Sequence, residues 1–191
     1  MTVGIIFLII LAIVFVYVIM TYNTLVAEIE TIKNSEKQID VQLDRRSKVF
    51  DSLVNVVKKY MDYEQSTLKQ VVELRNKANL AKESGNLQER INAENKISEL
   101  VKGINIQFEN YPELKSNQNV IQLQEEITST ENKLAFAKQS FNDAIERYNA
   151  HKKSFFARIV ASIFKNLDED FVYWNISDEK KQQLEDARVE L

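Results

Sequence analysis

Between Gly4 and Gly85 the chain contains neither glycine nor proline. Those two residues are the usual means of stopping a helix or turning a chain. Their absence over such a span makes long, uninterrupted helix the simplest conformation. In all 191 residues there are three glycines and one proline, a composition of few turns and few, long elements. Within the span, Ile39, Leu43, Arg46, Phe50, Leu53, Val57, Tyr60 and Glu64 step alternately by four and three. That spacing keeps their side chains on one seam of a helix packed against other helices. Arg46 and Glu64 put charge into the seam, which is costly when buried unless each finds a partner on a facing helix.

The segment Met1–Met20 carries no charged side chain, and the first charge is Glu28. A bilayer core about 30 Å thick takes about 20 apolar residues in a helix, so the run fits one crossing. The alternative is a cleaved secretory signal. It would need a basic leader and an Ala-x-Ala-like site, and neither is present. No Lys or Arg precedes the run, while Lys33 and Lys37 follow it, so the positive-inside rule predicts an outside N-terminus and a cytoplasmic body. Leu25, Ile29 and Ile32 join the seam directly, so one helix is expected to run from the membrane to about Lys82. Ser84-Gly85-Asn86 should end it, with Asn86 and Glu89 resembling a capping box.

A second helix is expected from Leu87 to about Phe108, on a looser stripe of Leu87, Ile91, Val101, Ile104 and Phe108. Pro112 stops it, because it cannot donate and disfavours helix at Tyr111, so Tyr111 and Pro112 mark a turn. Ser116 or Asn117 can cap a third helix, whose seam runs through Val120, Leu123, Ile127, Thr130, Leu134, Ala137, Phe141, Ala144 and Tyr148. The segment Phe155–Lys165 should be helical. Phe155, Phe156, Ile159, Val160, Ile163 and Phe164 fall on one half of it, with cations on the other half and upstream. It can cap the bundle or lie at a membrane interface, and in either case Ile159 and Ile163 are expected to be buried. Ser177-Asp178-Glu179 opens a short polar helix.

Twenty-five Lys and Arg against 28 Asp and Glu, intermixed, give no concentrated positive field for nucleic acid. With no cysteine, disulfides, thiol nucleophiles and thiolate metal sites are excluded. The one histidine, His151, has no second ligand at metal-binding spacing and reads as a solvated helix-end residue. Glu125-Glu126 and Asp168-Glu169-Asp170 sit in polar surroundings, without the burial that drives paired carboxylates apart in pKa. No catalytic role and no cofactor are expected.

A series of short motifs carries a family resemblance. Tyr22-Asn23 and Leu25-Val26 follow the apolar run. Then come Ile39-Asp40-Val41-Gln42-Leu43, Arg45-Arg46, Leu53-Val54, Tyr60, Glu64, and Arg75-Asn76 with Ala78. Tyr111-Pro112-Glu113-Leu114-Lys115, Thr130-Glu131-Asn132, Phe141-Asn142-Asp143-Ala144 and Tyr148-Asn149 complete the series. In order and spacing this resembles the LemA family of bacterial membrane-anchored helical proteins, over roughly Tyr22 to Phe164. The resemblance implies one N-terminal membrane helix, an outside N-terminus and a cytoplasmic helical bundle; it implies no particular reaction. The chain departs from the family pattern at Glu36, at Lys48–Ser52 and at Phe155–Ala161.

The expected protein is therefore all-α: a single transmembrane helix, then an antiparallel up-and-down bundle of three long helices plus short C-terminal ones. The expected division is an anchor over 1–24, a bundle over 25–168 and a polar tail over 169–191. Its polar set is Arg46, Glu64, Glu131, Asn142, Tyr148 and Asn149 on or beside the seams, with Asp40, Arg45 and Asp143 from the shared motifs. That set either fixes helix register or lines a site for a ligand or partner. The expected role is a non-enzymatic scaffold or interaction protein at the cell membrane, with a protein partner. The competing role is an accessory subunit that senses a small ligand through the polar seam, and a cavity beside Arg46 would favour it. A further expectation is homo-oligomerisation through an uncovered seam at Leu25–Leu43.

Overall fold

The computed structural model describes residues 2–60, 65–108 and 117–175. Glu64, Tyr111, Pro112 and the expected helix at Ser177 lie outside them. Regular structure among the described residues is helical: α1 (Thr2–Tyr60), α2 (Gln65–Glu83), α3 (Leu87–Phe108), α4 (Gln118–Lys152) and α5 (Phe155–Ile163), then one 3₁₀ turn at Lys165–Leu167. The fold is all-α with an apolar N-terminal helix. At about 1.5 Å per residue, the 59 residues of α1 span roughly 90 Å. Its N-terminal part is long and apolar enough to cross a membrane, and no residue of that stretch is buried.

The single helix expected from the membrane to Lys82 is instead two. Arg75 Nη1 lies 2.8 Å from Asp51, and Lys82 Nζ lies 3.0 Å from Asp40. In one straight helix, residues 24 apart would be separated by about 36 Å. α2 therefore runs back along α1, and the long helices among the described residues number four, against the three expected. Helix propensity favours continuation through this glycine-free stretch. Packing overrides it, because α2 has its own apolar seam (Val71, Leu74, Ala78, Ala81) to bury, and a straight helix would leave that seam in water.

The described chain divides into two compact units, each containing part of α1 and part of α4. One comprises Asp40–Phe136 with residues 174–175. Its core joins Val49, Phe50 and Leu53 of α1 to Val71 of α2, Ile97, Val101 and Ile104 of α3, and Val120, Leu123 and Ile127 of α4. α3 runs parallel to α1, since Arg90 meets Asp40 and Ser98 meets Arg46. α1, α2 and α3 thus go up, down and up. The α2–α3 turn is built as its sequence indicates. Gly85 takes φ +71°, its N–H reaches the Lys82 carbonyl at 3.2 Å, and the Asn86 N–H reaches that of Ala81 at 2.8 Å. Asn86 Oδ1 then accepts the Glu89 N–H at 3.1 Å. Asn117 caps α4 in the same way, accepting the Asn119 N–H at 3.0 Å.

The other unit comprises residues 2–39 of α1 with Ala137–Tyr173. Leu25, Ile29, Ile32 and Ile39 are buried here, as are Phe141, Ile145 and Tyr148 of α4. Of the seam at Leu25–Leu43 expected to meet a second copy, Leu25, Ile29, Ile32 and Ile39 are covered within the chain itself. α5 also differs from expectation. Ile159 and Ile163 are 48% and 64% exposed, and the buried face is Ala157, Val160 and Ala161. The large side chains of the apolar half are therefore turned outward. Beyond 168, Glu169 bonds back to α4 and Trp174 is buried.

Candidate functional site

Arg46 is the centre of the polar chemistry. It occupies a seam position of α1 and is only 5% exposed. From α3, Glu94 meets its guanidinium through the carboxylate and accepts weakly through its carbonyl at 3.4 Å, while Ser98 Oγ lies 2.8 Å away. From α4, Glu131 lies 3.6 Å away and accepts the Ser98 hydroxyl at 3.0 Å. Burial pulls the Arg46 pKa below its ordinary value; Glu131 counters this, and the charge of Arg75 adds to the lowering. A guanidinium still stays protonated, and two carboxylates and a hydroxyl surround it.

Nearly two turns earlier on α1, Asp40 accepts from buried Arg90 and from Lys82, and Arg90 lies against the ring of Trp174, 5.8 Å from its centroid. A cleft of about 260 Å³ opens beside these groups, lined by residues of α1, α2 and α3 that include Arg46, Arg75, Lys82, Arg90, Asp40 and Glu94. Each of the four cations has a carboxylate partner. Burial alone would raise the Asp40 carboxyl, but hydrogen bonds and charge from Arg90 and Lys82 outweigh it and hold the group below its ordinary 3.8. A lowered folded pKa stabilises the fold above that ordinary value, and the contribution disappears as pH falls through the folded pKa. Asp40→Asn is therefore expected to make acid unfolding less steep below about pH 4, as read by circular dichroism across an acid titration.

The sequence-derived polar set separates into two groups. Asp40, Arg46 and Glu131 belong to this network. Arg45 is a surface residue, 3.8 Å from exposed Glu126. Asp143 is exposed and Asn142 half-buried. In the other unit, fully buried Tyr148 donates to the Leu167 carbonyl and accepts the Glu169 N–H at 3.2 Å. Asn149 donates to the Tyr173 hydroxyl at 3.1 Å. These two side chains hold the segment after α5 and contribute nothing to the Arg46 cleft. Tyr148→Phe is expected to cost about 1–3 kcal/mol, because a buried N–H and carbonyl lose their partner. Urea unfolding of the two proteins side by side measures it. His151 is not simply solvated: its Nδ1 lies 3.0 Å from Glu28. Among the described residues, no three His, Cys, Asp or Glu side chains converge as metal ligands.

The residues that complete the Arg46 site are Arg90, Glu94 and Ser98, which the looser α3 stripe overlooked. The signal was available. Arg90, Glu94, Ile97, Val101 and Ile104 step by four and three in the same rhythm as the α1 seam, and all five are buried. Two of its members being charged hid that stripe from a search for apolar positions.

The LemA family's sequence model matches residues 35–188. The chain is also 24% identical, over 139 residues, to the protein LemA of Metamycoplasma hominis, an alignment that covers 73% of this chain. It spans only 63% of that relative's length. With most of its residues matched by the family model, and with the all-α fold and apolar N-terminal helix that the shared motifs imply, the chain belongs to the LemA family.

Proposed function

We propose that this protein is a single-span membrane protein that acts without catalysis, as a scaffold or interaction protein whose helical body stands at the cytoplasmic face. The observation that carries the reading is the change in exposure along α1. None of its side chains from 2 to 20 is buried and nearly all are exposed, whereas Leu25, Ile29 and Ile32 are buried by the chain itself. An apolar helix left bare at one end and packed at the other suits a rod that enters lipid and supports a folded body. Lys33 and Lys37, on the body side of the span, favour the cytoplasmic orientation. A fully paired Arg46 network suits a fixed platform, since a cation already matched by carboxylates is not waiting for a ligand. Because the chain has no cysteine, Thr2→Cys and Phe136→Cys each create one reporter. A membrane-impermeant maleimide should label position 2 on intact cells and position 136 only after permeabilisation. The reverse pattern would overturn the orientation.

One observation favours ligand sensing as a second reading: the polar cleft beside Arg46, into which four cations converge. A small anion there would compete with Asp40 for Arg90 and Lys82. Arg90 lies against the only tryptophan, so occupancy should change Trp174 emission. Titration with inorganic phosphate discriminates the two readings. Saturable change that is lost in Lys82→Gln supports sensing of an anion, and a flat response leaves the platform reading in place.

A further inference from the structure

α5 presents three sectors. At about 100° per residue, Ala157, Val160 and Ala161 form the buried sector, and Arg158 and Ser162 form a polar one. Between them lies a continuous apolar arc of Phe155, Phe156, Ile159 and Ile163. All four are exposed, Phe155 by 75%. Among the described residues, only Tyr17 packs on this arc, against Phe156.

The Phe156 ring packs edge-on against Tyr17, 5.4 Å between centroids, and Phe164 packs in the same way against Tyr22 at 5.0 Å. Asn166 donates to the Tyr22 hydroxyl at 3.3 Å. α5 thus lies beside the end of the bare apolar stretch of α1. Tyr17 is three residues before the end of the apolar run at Met20, about 5 Å along the helix axis, a depth typical of helices that lie in a membrane interface. Tyrosines at this level also match the aromatic belt at the bilayer boundary. Lys153, Arg158 and Lys165 surround the arc and are exposed, where they can meet lipid phosphates. Lys152 is a different case. It is held by Asp168 at 3.1 Å and by the Glu169 carbonyl at 2.9 Å, so it fixes the chain after α5 instead of reaching outward.

We propose that α5 is a second membrane contact: an interfacial helix that inserts Phe155, Phe156, Ile159 and Ile163 into the headgroup boundary beside the span, with Lys153, Arg158 and Lys165 on anionic lipid. The contact rests on the anchoring reading above. It makes the end of the helical body, and not only the span, a reader of the bilayer surface.

The test uses the full chain reconstituted in vesicles of phosphatidylcholine and phosphatidylglycerol, with single nitroxide labels at Ile10→Cys, Phe136→Cys, Ile159→Cys and Ile163→Cys. The ratio of collision with oxygen to collision with a water-soluble nickel complex reports lipid exposure, and unchanged circular dichroism certifies each fold. Position 10 should read as lipid and 136 as water. The proposal expects ratios at 159 and 163 several-fold above that at 136. Water-like ratios at 159 and 163, with position 10 in lipid, would overturn it while leaving the anchor intact. A water-like position 10 would overturn the anchoring reading and this proposal together. Exclusion of both reagents at 159, with spin–spin broadening, would assign the arc to a second copy and also overturn it.

Discussion

Replacing Arg46 with alanine is expected to destabilise the helical body by about 3–5 kcal/mol, because it removes the counter-charge of a buried carboxylate. The Glu94 side chain is only 11% exposed, and Glu131 and Ser98 converge on the same guanidinium. Stripped of Arg46, the largely buried Glu94 carboxylate loses its ion-pair partner, and Ser98 and Glu131 lose the guanidinium they face. Arg46→Met fills the volume but leaves Glu94 charged and buried, so it should be nearly as damaging. Arg46→Met combined with Glu94→Leu removes both charges and should recover much of the loss, since an apolar pair of similar size often matches a buried ion pair. Arg45→Ala, one residue away, breaks only an exposed pair and should cost less than about 1 kcal/mol. Urea unfolding in detergent, followed by circular dichroism, gives all four values. An Arg46→Ala loss no larger than that of Arg45→Ala would show that the network is not buried as described.

Leu53→Ala should cost about 2–5 kcal/mol by cavity formation. Leu53 has no exposed surface, and it belongs to a core that draws on all four long helices of its unit. No neighbouring helix can close the hole alone, because each is also held by the others, so the upper half of the range is expected. Leu53→Met keeps most of the volume and should cost less than about 1.5 kcal/mol. The same urea series checks both. A small loss for Leu53→Ala would mean that the core collapses around the site.

Much of this was legible in the sequence where a local signal and a packing requirement agree. The seam of α1, the Gly85 turn and the Asn117 cap are written in residues whose effects are local. The return of α2 along α1 was not legible, because no glycine or proline announces it. It follows from long-range burial of Val71 and its neighbours, which propensity does not register. Arg46 was identified because a charge broke an otherwise apolar rhythm. Its partner Glu94 was missed because α3 places two charged residues in one stripe, so the apolar residues alone looked irregular. The composition of α5 predicted a helix with a wide apolar face, but not which part of that face would be buried. The buried part is Ala157, Val160 and Ala161, set by tertiary packing that the local pattern does not register.

The claim on which the rest depends is that α2 folds back beside α1, since only then do Arg75, Lys82, Arg90 and Glu94 gather around Asp40 and Arg46. Lys48 and Lys77 are well exposed and engaged only in surface ion pairs, so Lys48→Cys and Lys77→Cys together accept a pair of spin labels with little cost. Adjacent packed helices stand about 8–10 Å apart, so pulsed dipolar spectroscopy should give one short distance, within about 25 Å once the label arms are included. A continuous helix would separate the same two positions by about 44 Å, and a peak there would contradict the account.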